Sequence, residues 1–237
     1  MLLMMRLLLL SCFLIFFGNG CAVQRPVAPV AAPKAAGMSF LALGDSYTIG
    51  EGVGAAERWP TQLAGLLSQS GAAVAAPTFI ARTGWTTSEL QTAIATADNQ
   101  QMYGLVSLLI GVNNQYRGQA VATYRTEFRA LLGTAVRFAG GQPGRVVVLS
   151  IPDWGQSPFG LRQDRSATRI GAEIDQFNAA AQDECRLAGV AYVDITPLTR
   201  AAASDAGQFT RDGLHYSGAQ MRGWAKRALP VVRGLLQ

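Results

Sequence analysis

Residues 42–52 read ALGDSYTIGEG, and they follow the apolar pair Phe40 and Leu41. An apolar run that stops at Gly44 and passes directly to an acid and a hydroxyl is the pattern of a buried strand reaching the surface. Gly, Asp and Ser all favour turns. The tripeptide is therefore open to two readings, a plain turn or a turn that presents Ser46 as a nucleophile. By average residue usage it arises by accident in roughly one chain in fifteen of this length, so alone it decides nothing.

Similar apolar runs recur downstream. The sequence predicts strands at 39–43, 78–81, 105–110, 145–150 and 191–194. Between them, Trp59, Leu63, Leu66 and Leu67 make one helix face, Leu90 and Ile94 a second, and Val121, Tyr124, Phe128, Leu131 and Ala135 a third. Thr86 and Glu89 have the spacing of a capping box, as do Ser217 and Gln220, and each pair marks a helix start. Strand–helix alternation predicts an α/β fold with a five-stranded parallel sheet covered on both faces, a three-layer α/β/α sandwich. In such sheets function collects at the carboxyl ends of the strands, where Ser46 stands.

At 237 residues, 49% hydrophobic and 15% charged, the chain can bury one substantial core. Its net charge of +5 comes from basic residues scattered singly among acids. That pattern argues against a nucleic-acid surface, which gathers Lys and Arg on one face. The N-terminus, MLLMMRLLLLSCFLIFFGNGC, has one basic residue, Arg6, before an apolar segment from Leu7 to Phe17. The segment is too short to span a bilayer comfortably and suits a secretory signal. It resembles a bacterial lipoprotein signal over residues 1–20, with Cys21 as the lipidated first residue. Gly18 departs from the branched aliphatic residue usual there, and Cys12 fits the local pattern better with few apolar residues before it. Lipidation at Cys21, simple secretion and an uncleaved anchor all stay open. Residues 21–37 are rich in Pro and Ala and read as a tether reaching up to roughly 50 Å, with the folded domain beginning at Met38. The expected location is the bacterial cell envelope, with the membrane reached through Cys21.

Beyond the leader the remaining cysteines are Cys21 and Cys185. Cys185 shares a helical face with Ile170, Ile174, Phe177 and Ala181, which predicts a core position. No disulfide framework is expected.

The chain contains a single histidine, His215, and Asp212 lies one helical turn's spacing before it in RDGLHYSG. Across a tight loop that spacing lets a carboxylate reach Nδ1, fix the tautomer and leave Nε2 free as a base. A serine hydroxyl is a poor nucleophile until a base takes its proton, and acyl transfer also needs donors for the developing oxyanion. Two more segments sit at predicted strand ends. ARTGWTT offers the N–H of Gly84, and GVNN offers the amide of Asn113. With the Ser46 N–H these make three donors. With one histidine and no cysteine pair an ordinary protein-ligated zinc site is not expected. Trp85, Tyr116, Trp154 and Phe159, with Arg117 nearby, stand in loops at predicted strand ends. They could wall a substrate pocket or pack the loops shut.

The ordered set GDS, ARTGWTT, GVNN and DGLH resembles the SGNH, or GDSL, hydrolase family, over residues 39–229. The resemblance implies a flavodoxin-like sandwich with Ser46 as nucleophile, His215 as base helped by Asp212, and an oxyanion hole of Ser46, Gly84 and Asn113. It also implies that Asp45 braces the serine loop, and that no cofactor or metal is needed. Two positions depart from the family pattern. Tyr47 replaces the usual leucine, and Asn114 stands where an aspartate is common, which puts a supporting hydrogen bond in question. The implied activity is hydrolysis of carboxylic esters through an acyl-enzyme on small-molecule, glycan or lipid esters. A narrower role as an envelope glycan deacetylase, or as a lysophospholipase or thioesterase, stays open. So does a non-catalytic binding lipoprotein. Chain-length preference and oligomeric state are not legible.

Overall fold

The computed structural model describes residues 37–237. The expected leader, Cys12, Cys21 and all of the tether but Gly37 lie outside the described residues.

Five strands form one parallel sheet: β1 (Phe40–Gly44), β2 (Thr78–Ala81), β3 (Leu105–Leu109), β4 (Val146–Leu149) and β5 (Ala191–Val193). Their order is β2-β1-β3-β4-β5. Every residue of β1, β3 and β4 is buried, as expected for a sheet covered on both faces. The order reverses direction between β1 and β3, which makes the carboxyl ends of these strands a topological switch point. Register aligns them: Gly44 pairs with Ala81 on β2 and with Leu109 on β3.

The helices are α1 (Ser46–Ile49), α2 (Trp59–Gln69), α3 (Thr87–Thr96), α4 (Val112–Tyr116), α5 (Val121–Phe138), α6 (Ala167–Ala188), α7 (Thr196–Ala201) and α8 (Gly218–Leu235). The helices fall into two groups, α2 packed on α8, and α5 packed on both α3 and α6, as expected when crossovers cover both faces of a parallel sheet. The apolar stripes read from the sequence are the ones that face the sheet. Trp59, Leu63 and Leu67 of α2 are buried, as are Leu90 and Ile94 of α3 and Tyr124, Phe128, Leu131 and Ala135 of α5. Cys185 is buried on α6, and burial pushes its thiol up to about 12, so it is inert as a nucleophile.

Strand ends differ from expectation by about a residue. β1 runs to Gly44, and β4 and β5 end at Leu149 and Val193, after which Ser150 Oγ donates to Asp194 Oδ1 at 3.0 Å. The Thr86–Glu89 capping box forms in full. At α8 only half of the expected box exists. Ser217 caps Gln220 N, while the Gln220 amide donates 2.8 Å to the Leu198 carbonyl and ties α8 to α7.

Candidate active site

Gly44 is required by close packing. A Cβ there would lie 2.2 Å from Thr48 Oγ1 and 2.3 Å from the Leu109 carbonyl oxygen. The strand therefore reaches its end with the following turn drawn tightly under it. Asp45 caps α1, its Oδ1 accepting from Tyr47 N at 3.0 Å, which is the bracing role expected for it. Ser46 is the first residue of α1, and its N–H is among the free donors of a helix start.

Asp45 is fully buried, and its Oδ2 has no hydrogen-bond partner among the described residues. Burial pushes the carboxyl up to about 7, against the lowering effect of the Tyr47 and Asp45 backbone N–H groups.

From the aligned strand ends, Gly84 follows β2 and Asn113 follows β3. Gly84 has φ +86°, a left-handed conformation that glycine adopts without strain. Its carbonyl accepts from Arg117 Nη2 at 2.6 Å, and Arg117 is anchored in turn by Glu89, with Nη1 3.2 Å from Oε2. Among the described residues neither the Gly84 N–H nor the Ser46 N–H is used in a backbone hydrogen bond. Asn113 Nδ2 donates one hydrogen to the Trp85 carbonyl at 2.9 Å and keeps the other.

The neighbour Asn114 is fully buried and deeply engaged. Its Oδ1 accepts from Thr87 N at 3.1 Å. Its Nδ2 lies 2.6 Å from both Thr87 Oγ1 and Gln119 Oε1, and 3.4 Å from Glu127 Oε2. Sequence placed the support for Asn113 in question. In the structure the Asn114 amide ties α4 to Thr87 at the start of α3, and its carboxylate partner, Glu127, comes from α5.

His215 stands on the loop leading into α8, where Thr210 N donates to its carbonyl at 2.7 Å. Its Nδ1 is 2.6 Å from Asp212 Oδ2, while Asp212 Oδ1 accepts from Leu214 N at 2.8 Å and His215 N at 3.0 Å. Partial burial acts to raise the Asp212 pKa. The bond from the His215 ring, the two backbone donors and the Thr210 hydroxyl outweigh it and hold the carboxyl well below the usual range. On its other side the imidazole meets the edge of Tyr47, with ring centroids 5.7 Å apart. Tyr47 in turn packs on Tyr216 and Trp224. The tyrosine that replaces the usual leucine thus belongs to an aromatic cluster that packs against the histidine.

These groups converge. Ser46, Gly84, Asn113 and His215 line one cavity of about 210 Å³ together with Val112, Tyr116, Trp154, Phe159, Leu214, Thr83 and Tyr47. No hydrogen bond joins the Ser46 hydroxyl to the His215 ring among the described residues. Of the expected substrate contacts, Tyr116, Trp154 and Phe159 are in this lining. Trp85 is outside it, beside Ser88, Glu89 and Thr92 on the outer surface of α3, and contributes its carbonyl to Asn113. Trp154 does both things the sequence left open: it is buried between the loops and it walls the cavity. The sequence reading missed Gln115, a buried amide whose Oε1 accepts from Trp154 Nε1 at 2.8 Å. Among the described residues no group of three or more His, Cys, Asp or Glu is placed to hold a metal ion.

The fold recurs in solved structures. The chain superposes on the crystal structure of TesA with TM-score 0.65 at 18% identity, covering 84% of this chain and 99% of that one. An acetylxylan esterase from Geobacillus stearothermophilus gives TM-score 0.64 at 17% identity, over 83% and 94% of the two chains. The psychrotrophic esterase EstA from Pseudoalteromonas sp. gives 0.63 at 15%, over 84% and 98%. The comparison with curated protein sequences gives no significant match. The family model for the GDSL-like lipase/acylhydrolase family matches residues 42–222, from the serine turn through the histidine loop into α8. With that match spanning well over half its length, the chain belongs to the GDSL-like lipase/acylhydrolase family.

Proposed function

We propose that the protein is a serine esterase that hydrolyses carboxylic esters through an acyl-enzyme on Ser46. The observation that carries this reading is His215, held 2.6 Å from Asp212 and lining the same small cavity as Ser46, Gly84 and Asn113. His215 Nε2 takes the Ser46 proton as Oγ bonds to the ester carbonyl carbon. The carbonyl oxygen becomes anionic against the Ser46 and Gly84 N–H groups and Asn113 Nδ2. The alcohol leaves with the proton from His215. Water then attacks the acyl-enzyme, giving its proton to His215, and the carboxylic acid departs as Ser46 recovers its hydrogen. The first step requires the Ser46 hydroxyl to turn toward the ring, a contact that tightens in serine enzymes when substrate is bound.

Hydrolysis of p-nitrophenyl acetate tests the reading. Ser46→Ala is expected to lower kcat by at least about a thousandfold with the fold intact by circular dichroism. Retained turnover would remove Ser46 from the mechanism. A folded wild type that neither turns over esters nor is inactivated by diethyl p-nitrophenyl phosphate would favour a binding role instead. The charged and apolar pattern of residues 1–21 supports export and attachment through a lipid on Cys21. Cys21→Ser should move the protein from the membrane to the soluble fraction, and unchanged partitioning would point to the apolar segment itself.

A further inference from the structure

The cavity at Ser46 is small, and the buried Trp154 is a fixed part of its wall. Its volume of about 210 Å³ is below the roughly 300–1,000 Å³ of sites that hold drug-sized ligands. A site of that size, once it holds the carbonyl carbon and the ester oxygens, leaves room for a short acyl chain.

Trp154 sets that limit. It is 1% exposed, and its ring packs against Tyr116, centroids 5.2 Å apart, and Phe159, 6.2 Å apart. Tyr116 lies one helical turn from Asn113 on α4, so Trp154 borders the oxyanion side of the cavity. His215 must reach the leaving oxygen to protonate it, which places the alcohol on the histidine side and the acyl group across from it.

The indole is not free to swing away. Its Nε1 donates to Gln115 Oε1 at 2.8 Å, and Gln115 Nε2 donates to Glu173 Oε2 at 2.7 Å. Glu173 is held by Arg165 Nη1 at 2.9 Å and Arg169 Nε at 2.9 Å. Arg165 also lies over the Trp154 ring, 5.5 Å from its centroid, and donates to the Tyr116 carbonyl at 3.2 Å. A wall fixed by a buried hydrogen bond, a cation above its face and two aromatic neighbours cannot yield cheaply to a longer chain.

We propose that Trp154, locked by Gln115, is the end wall of the acyl site and restricts the enzyme to acetyl and other short acyl esters. This rests on the serine-esterase reading and narrows its substrate class.

The test measures kcat/KM for p-nitrophenyl acetate, butyrate, hexanoate and octanoate. A second series holds the acetyl group constant and varies the alcohol. Wild type is expected to fall at least tenfold from acetate or butyrate to octanoate. Trp154→Ala should raise the octanoate-to-acetate ratio at least tenfold. Trp154→Phe, which keeps an aromatic ring in the core, should raise the hexanoate-to-acetate ratio by a smaller factor and serves if the alanine variant unfolds. Gln115→Leu should move the ratio in the same direction by freeing the indole. A wild type indifferent to acyl length overturns the proposal, as do Trp154 variants with an unchanged acyl profile or a change confined to the alcohol series. Ser46→Ala in the same assay separates the two readings: loss of all turnover with a flat wild-type profile leaves the serine mechanism standing and removes only the short-acyl limit.

Discussion

Asp212 Oδ2 and His215 Nδ1 lie 2.6 Å apart on one loop, and the same carboxylate accepts the backbone N–H groups of Leu214 and His215 through its other oxygen. One side chain thus shapes the loop and orients the ring that the loop carries. The division of labour matters because Oδ1 is occupied with backbone and Oδ2 is left for the imidazole. Since these bonds hold Asp212 below the usual carboxylate range, it is anionic throughout the pH range in which esterases are assayed.

Asp212→Asn should therefore be costly to catalysis. The amide keeps the size of the carboxylate, but it removes the charge that stabilises an imidazolium, and presents either a neutral acceptor or an N–H to Nδ1. A fall in kcat/KM of about 10³–10⁴-fold on p-nitrophenyl acetate is expected. A fall of less than tenfold would mean that His215 is oriented by something else.

Asp45 predicts an unusual pH dependence of stability. Its folded pKa of about 7 lies above the ordinary value of about 3.9, so the folded protein keeps a proton that the unfolded chain sheds. The sign follows directly: the contribution of this group to stability is greatest below pH ~4, declines as pH rises from ~4 to ~7, and is level above that. At about 1.36 kcal/mol per pKa unit, the decline attributable to this group is about 4 kcal/mol. Asp45→Asn should remove it. In urea unfolding at pH 4.5, 6 and 8, the difference between variant and wild type should shift in the variant's favour as pH rises. A difference that does not change with pH would show that Asp45 ionises normally.

Glu184 should have the opposite dependence. This buried carboxylate on α6 lies 2.6 Å from Arg125 Nε and 2.6 Å from Arg129 Nε, both on α5. The Arg129 hydrogen bond is the largest influence. Burial opposes it, Arg125 adds to it, and the carboxyl is held at about 2. A depressed pKa contributes stability that is complete above about pH 4.5 and is lost as pH falls toward 2. Arg129 is 62% exposed, so solvent weakens the pair, and Glu184→Gln is expected to cost about 1–2 kcal/mol at pH 7. The cost should shrink in acid, measured by denaturant unfolding at pH 7 and pH 3. An equal cost at both would mean that packing, and not charge, sets the effect.

What could be read before any coordinates were local. Apolar runs and helical stripes located all five strands and the buried faces of α2, α3, α5 and α6, because burial on a sheet leaves a periodic mark in the chain. Asp212 and His215 were legible because they share one loop, and Ser46, Gly84 and Asn113 because each follows the end of a strand. What escaped was set by partners distant in sequence. Gln220 has capping-box spacing, yet the Leu198 carbonyl competes for its amide. Gln115 is an ordinary polar residue until Trp154 arrives from the loop after β4. Trp85 follows Gly84 directly, but the left-handed turn at Gly84 carries its ring away from the cavity.

Asn114 and Glu127 give the most specific prediction. Asn114 donates where an aspartate could only accept, and the nearest carboxylate, Glu127, also accepts from Gln119 Nε2 at 3.1 Å and from the Thr87 hydroxyl. Asn114→Asp would place two carboxylates together, raise the pKa of one, and lose the bond to Gln119 Oε1. Because Asn114 ties α4 to the start of α3, the damage should reach both Asn113 and the Gly84 turn. A loss of about 1–3 kcal/mol is expected, larger at pH 8 than at pH 5, with kcat reduced about tenfold or more. Adding Glu127→Gln restores one donor and one acceptor to the pair with their positions exchanged. The double variant should recover at least half of the lost stability and most of the pH sensitivity should vanish, a coupling readable as a double-mutant cycle. Strictly additive losses would show that the two side chains act independently and that Asn113 takes its position from elsewhere.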